Sequence, residues 1–326
     1  MVKRMKTQGF YHIGRLLLRS PMLLILLALL PAPATAGPAV VASIKPIHSL
    51  VANLMQGAGE PTLLVRAGGS PHGYNLRPSE VHNLEAADLV VWVGPQLESF
   101  MVRPLANLEL NGHLLTLLEQ PEMTILPSRR GGVWGEGHGH DHTDGAEADH
   151  DDDRIDPHIW LAPSNAAAIA DAVARKLVEI DPGMATVYNK NLAALKQRLQ
   201  TLQGTIEKRL RPLRSKHYIV FHDAYQYFEQ EFDLHPLGAL AIDPDRRPGA
   251  RRLAQLQQTI RDRNVTCIYT EPQFTPRLAD ILAEGSDAGV GILDPLGADL
   301  DAGPELYFTL IEQMATALEG CRSEER

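Results

Sequence analysis

The apolar positions of this chain follow two periods that alternate along most of its length. Short runs rich in valine, isoleucine and leucine, at Val40–Ile44, Pro61–Val65, Asp88–Val93 and Leu114–Leu118, read as strands. Between them, Ile47–Met55 and Ser79–Ala86 space their apolar residues as helices do. Strands that alternate with helices predict a parallel sheet, since parallel neighbours need a crossover. From Ser164, which can cap a helix, to about Arg214 the sequence is alanine-rich and leucine-periodic. Asp181-Pro182-Gly183 should break that run. The stretch after the break predicts one helix of roughly twenty-five residues, nearly 40 Å long at helical rise. That is more than a crossover needs, so it reads as a spine between two lobes. Beyond it the alternation resumes, with strands at Tyr218–Phe221, Gly238–Ile242, Thr266–Thr270 and Gly291–Asp294. Helical spacing recurs at Arg251–Arg261, Pro276–Glu284 and Glu305–Leu318. The expected class is α/β, with two lobes of mainly parallel sheet joined by one long rigid helix. The first lobe is assigned to residues 37–163, the linking region to 164–214 and the second lobe to 215–326. A cleft between such lobes, at the strand ends, is where ligands of open α/β sheets sit.

The first thirty-six residues stand apart from this pattern. Lys3, Arg4, Lys6, Arg15 and Arg19 precede an apolar run, Met22–Leu30, that ends in Pro-Ala-Pro-Ala-Thr-Ala. Ala34 and Ala36 then occupy the small-residue positions of a signal peptidase site, which assigns residues 1–36 to a secretory signal. The run is too short for a hydrocarbon core, which needs about twenty residues. The cleavage region contains no cysteine, so the expected product is periplasmic, without a lipid or membrane anchor. Cleavage leaves 26 basic against 40 acidic residues, a net charge of −14, which argues against nucleic acid or anionic lipid as partner. Cys267 and Cys321 are the two cysteines of the chain. In an oxidising compartment an isolated pair forms a disulfide, here clipping the last helix to a strand. Metal ligation is the alternative, although the chain has no CxxC spacing.

Three histidines fall where packing does not explain them. His72 lies in the turn-forming Gly68-Gly69-Ser70-Pro71-His72-Gly73, His158 in Asp156-Pro157-His158-Ile159-Trp160, and His222 ends the strand Tyr218–Phe221. Any one of them alone also reads as a structural histidine bonded to a carbonyl. Together, from cleft positions on both lobes, they make a credible zinc site of three imidazoles and one oxygen donor. Asp294, in Ile292-Leu293-Asp294-Pro295, is the expected oxygen ligand or near-ligand, with water as the alternative. Glu271, in Thr270-Glu271-Pro272, is expected just behind, orienting a ligand or a water. His48 and His82 fall on helical segments and are expected at the surface or behind the site.

Five blocks, SPHGYNLRPSEVHNLEAADLVVWVGPQLESF, DPHIWLAP, FHDAYQYFE, CIYTEPQFTPR and ILDPLG, follow one another in this chain. In that order it resembles the metal-binding subunits of zinc and manganese ABC importers, from about Val40 to Cys321. The resemblance implies two α/β lobes joined by one long helix, metal between them and a membrane permease as partner, the protein acting as a monomer without enzymatic activity. It aligns His72, His158 and His222 with the family's three histidine ligands and Asp294 with a carboxylate that ligates metal in many members. It also pairs Cys267 with Cys321. The chain departs from some zinc-type members at Pro71, where they carry a glutamate. Manganese-type members tend to place a carboxylate where this chain has His222, and nitrogen-rich tetrahedral sites suit zinc.

One segment fits neither lobe. Residues 131–153 hold four histidines, His138, His140, His142 and His150, among eight acidic residues without apolar periodicity, and read as a loop. Its alternating His-Gly-His-Asp-His order suits an auxiliary zinc-collecting site; a solvated acidic loop is the other reading. Three functions compete for the whole chain. The first is capture of Zn2+ for an importer. The second is a zinc buffer or metallochaperone, which a neighbouring permease gene would argue against. The third is a zinc hydrolase with Glu271 as base, for which the sequence lacks HExxH.

Overall fold

The computed structural model describes residues 37–66, 68–108, 113–129, 133–134, 154–241, 248–274 and 277–321. The segment 1–36 read as a signal and the loop histidines His138, His140, His142 and His150 lie outside the described residues.

From Gly37 onward the chain packs as one compact unit built on two four-stranded sheets, both wholly parallel. The first sheet runs β2-β1-β3-β4, from β1 (Val40–Ala42), β2 (Thr62–Leu63), β3 (Leu89–Trp92) and β4 (His113–Thr116). The second runs β6-β5-β7-β8, from β5 (Tyr218–His222), β6 (Gly238–Ala241), β7 (Cys267–Thr270) and β8 (Gly289–Ile292). In both sheets the chain first steps to one side of the opening strand and then crosses to the other. The crevices at β1/β3 and at β5/β7 are therefore topological switch points, where loops diverge and leave room for a ligand.

The helices are α1 (Lys45–Leu54), α2 (Pro78–Glu85), α3 (Ser99–Asn107), α4 (Pro163–Ile180), α5 (Ala185–Leu210), α6 (Gln226–Phe232), α7 (Ala250–Asp262), α8 (Arg277–Ala283) and α9 (Leu306–Gly320) among the described residues. The expected spine is α5, 26 residues long, and it begins directly after the Asp181-Pro182-Gly183 break. Its buried stripe, Tyr188, Leu195, Leu199, Leu202, Ile206 and Leu210, follows helical spacing and packs on α1, α4 and α9. One apolar core consequently runs from Val40 on β1 through Trp160 and α5 to Leu318 on α9. Smaller clusters pack the outer sheet faces, around Leu84, Val90 and Met101 in one lobe and Leu256, Ile260 and Ile268 in the other.

Four details differ from the sequence reading. Helix α4 starts at Pro163, not at a Ser164 cap; the Ser164 hydroxyl instead donates to Glu231 at 2.6 Å. Helices α3 and α6 have no counterpart in the periodicity, α3 because Pro104 lies within it and α6 because it is only 7 residues long. The last strand ends at Ile292 and lies at a sheet edge, with Val290 and Ile292 41 % and 60 % exposed, rather than being buried up to Asp294. His48 is buried against the Pro61 carbonyl, while His82 is exposed as expected.

The lobes are tied together close to the crevice. The Lys45 ammonium on α1 donates to the carbonyls of Gly297, Ala298 and Leu300 at 2.8–2.9 Å, and the Trp160 indole donates to Pro295 at 2.8 Å. Cys267 on β7 is disulfide-bonded to Cys321 at the end of α9.

Candidate metal centre

Three segments from different parts of the chain converge on one point. His222 is the last residue of β5, at the β5/β7 switch point. His158 opens the 3-10 turn Ile159–Leu161 that leads into α4. His72 stands on the loop between β2 and α2. That loop is held by Tyr74, whose hydroxyl donates to Glu80 at 2.7 Å and whose ring packs on Phe100. Tyr74 also lies so close to Gly69 that a Cβ there would meet its ring at 2.9 Å, so the turn needs glycine at that position. The donor atoms of His72, His158 and His222 all lie within 4.8 Å of one another, with ring centroids 5.2–5.7 Å apart. His158 and His222 are buried, whereas His72 is partly open to solvent.

The second nitrogens of the two buried rings are fixed by carboxylates. His158 Nδ1 is 2.7 Å from Asp156 Oδ1, and His222 Nδ1 is 2.5 Å from Glu271 Oε1. With those carboxylates ionised, both Nδ1 atoms carry the proton and donate it, so both Nε2 atoms present lone pairs. The two Nε2 atoms face each other at 3.3 Å. Two imidazoles on one tetrahedral zinc, at bonds of about 2.05 Å, stand about 3.3–3.4 Å apart, so the spacing fits two ligands of one zinc ion. A carboxylate on the far nitrogen is also the usual way a protein fixes ring orientation and raises ligand basicity.

Burial and neighbouring charge set the protonation of the pair. Burial holds His158 well below the ordinary histidine value, and His222 pushes it further down. For His222 burial acts in the same direction, but the Glu271 carboxylate outweighs it and holds the ring above the ordinary value. A proton kept by the pair therefore resides on His222. Burial lifts Asp156 to about 7, against the pull of the His158 backbone N–H and of Arg129. Arg129 itself donates to Asp223 and Glu229, and its guanidinium lies 3.8 Å above the Trp134 ring.

Asp294 is not brought into this group. Its Oδ1 accepts the backbone N–H of Leu296 and Gly297 at 2.9 and 3.0 Å, and its Oδ2 accepts that of Ala298 at 2.6 Å. The chain curls around the carboxylate just past β8, and three peptide N–H groups donate to it. Glu271 lies against His222, at the place the sequence suggested. Two participants were absent from the sequence reading: Asp156 and Arg129. The Asp-x-His spacing at Asp156-Pro157-His158 could have flagged the first. For Arg129, which meets its partners only in the folded chain, the sequence carries no signal.

The cavity at the histidines has room for about a single ion or water, ≈ 10 Å³, walled on its apolar side by Trp160, Phe274 and Leu296. Fold and site together define a two-lobed metal-binding protein whose imidazole-rich site lies where parallel strands end. Over residues 40–321 the sequence matches the family described as ZnuA, zinc-uptake complex component A, periplasmic, and the chain belongs to that family. It is 38 % identical over 309 residues to the high-affinity zinc uptake system protein ZnuA of Brucella suis biovar 1, covering 87 % of this chain and 92 % of the relative. Its identity to the Yersinia pestis protein of the same name is 36 % over 292 residues, covering 88 % and 92 %. Among solved structures, a zinc-bound deletion mutant of ZnuA superposes with a TM-score of 0.72 at 25 % identity, covering 89 % of this chain and all of that one.

Proposed function

We propose that this protein captures Zn2+ in the periplasm, after export by the signal in residues 1–36, and hands it to the membrane permease of an ABC importer. The observation that carries the reading is the pair of carboxylate-anchored imidazoles whose Nε2 atoms face each other at 3.3 Å, with His72 as third donor. The zinc-uptake relatives support the same cargo, and an all-nitrogen protein donor set favours zinc over manganese. His72, His158 and His222 are the ligands in this reading, and Glu271 and Asp156 hold two of them in place. Asp294 shapes the adjoining turn. The protein acts as a monomer and performs no catalysis. Glu271, the base a hydrolytic role would need, is committed to His222, and the cavity fits an ion rather than a substrate. His138, His140, His142 and His150 form a weaker collecting site ahead of this centre.

Zinc and manganese titration calorimetry on the exported chain, beside a variant lacking residues 135–153, tests the reading. One tight zinc event that survives the deletion, with weaker events lost and manganese bound poorly, is the expected result. Tight binding that disappears with the loop would overturn it in favour of a buffer or chaperone.

A further inference from the structure

The residues that line the histidine cavity include one with a buried side-chain acceptor left unpaired. Gln273 lies in the turn from Glu271 to Phe274, closed by the Phe274 N–H on the Glu271 carbonyl at 3.1 Å. Its side chain lines the cavity of His72, His158 and His222 and, with Leu296, also borders the neighbouring cavity beside Lys45. The amide oxygen Oε1 is buried and has no hydrogen-bond donor among the described residues. Buried acceptors in folded proteins are nearly always satisfied, so an unpaired one on a residue that borders a binding cavity points to a donor that arrives with the ligand. The nearby carboxylates each have partners already: Glu271 in His222, Asp156 in His158, and Asp294 in its own turn.

Three imidazoles leave a fourth position on a tetrahedral zinc ion, and a water there becomes a strong hydrogen-bond donor because the ion polarises it. We propose that Gln273 Oε1 accepts the hydrogen bond of that water and so positions it, completing the coordination of the cargo. The inference rests on the zinc-capture reading above. A neutral carboxamide suits a carrier. A carboxylate at the same place would add negative charge beside the ion, hold the water and the cargo more tightly and slow release, whereas the amide orients the water without adding charge. Gln273 is thus a positioning residue, acting on zinc through the water.

Zinc competition against a chromophoric chelator, together with the visible spectrum of the cobalt(II) form across pH, tests this on wild type, Gln273→Leu and Gln273→Glu. The leucine variant removes the acceptor without adding a donor atom; thermal unfolding of its metal-free form verifies the fold. Its zinc affinity should fall about tenfold, the scale seen when a partner of the coordination sphere is lost. The glutamate variant keeps shape and acceptor. It should restore or exceed wild-type affinity, release zinc more slowly, and shift upward the pH at which the cobalt-bound water loses its proton. That last readout carries the test even if the leucine variant does not fold. Wild-type zinc affinity in Gln273→Leu, or a cobalt pH profile unchanged in Gln273→Glu, would overturn the proposal and leave the capture reading intact. Failure of the wild-type protein itself to bind zinc tightly would overturn the capture reading, and the role of Gln273 with it.

Discussion

Two lone pairs pointed at each other across 3.3 Å repel unless something positive lies between them. In this centre that charge is a proton or a metal ion, and the two compete. Glu271 holds His222 above the ordinary histidine value of 6.5, so the proton is retained to a higher pH than an isolated imidazole would keep it. Zinc must displace that proton. Affinity should therefore be complete above the raised value and weaken as pH falls through it, by about tenfold per pH unit for one displaced proton. Zinc dissociation constants measured from mildly alkaline to mildly acidic pH would check this, and a flat profile would contradict it. At this scale the sequence was informative but incomplete. His72, His158 and His222 stand out as chemistry-bearing residues in turn and strand-end positions. Asp294 stands out equally, yet its carboxylate serves three peptide N–H groups of its own turn. A strand-end carboxylate has both options in sequence, and only the path of the next few residues decides between them.

Among the elements, the stretch that ends in Arg129 brings a cation to two buried carboxylates. Pro127 bridges Ile155, the Ser128 N–H donates to the Arg154 carbonyl, and Val133 bridges Gly238 at the edge of the second sheet. Between these contacts Arg129 reaches Asp223, the residue after His222, and Glu229 on α6. The two carboxylate side chains are only 8 % and 4 % exposed. Arg129→Met strands both of them, and the loss should be about 3 kcal/mol in urea unfolding, since removing one partner leaves buried charge uncompensated. The pH dependence has a definite sign. Burial already lifts Glu229 from 4.5 to about 7, and loss of the arginine lifts it further. The folded variant then takes up its proton at a higher pH than the folded wild type does, so the deficit should shrink as pH falls towards about 7 and level off below it, where both are protonated. A deficit that grew on acidification would refute the assignment. None of this was legible in advance, because Arg129 and Glu229 are 100 residues apart and neither sits in a periodic run.

For the whole molecule the decisive feature is a core that does not stop at the lobe boundary. α5 packs on α1 from the first lobe and on α9 from the end of the chain, and Lys45 and Trp160 pin the Pro295–Leu300 turn from across the crevice. A shared core and these ties leave little room for wide hinge opening, so cargo release by small tilts and loop shifts fits the architecture. The disulfide closes a loop of 54 residues in sequence and anchors α9 to the second sheet. In the chain-entropy account a loop of that size is worth about 4 kcal/mol. A Cys267→Ser/Cys321→Ser variant should lose about that much stability in chemical denaturation. It should keep its zinc affinity, because neither cysteine lines the histidine cavity. A variant of unchanged stability would mean that the packing of α9 alone carries the contact.

Sequence by itself determined the alternation of strand and helix, the 26-residue spine and the three histidines, because each rests on local facts: a period, a break at Pro182 or a residue type in a turn. Tertiary structure alone decided what those histidines face. The 3.3 Å gap between two Nε2 atoms arises from segments far apart in the chain meeting at a switch point, and the capture of Asp294 depends on the path its own turn takes there. Hydrophobic periodicity records which way a side chain points relative to its own element. It carries no information on the distance from that side chain to an atom on another element, and the affinity of a metal site depends on those distances.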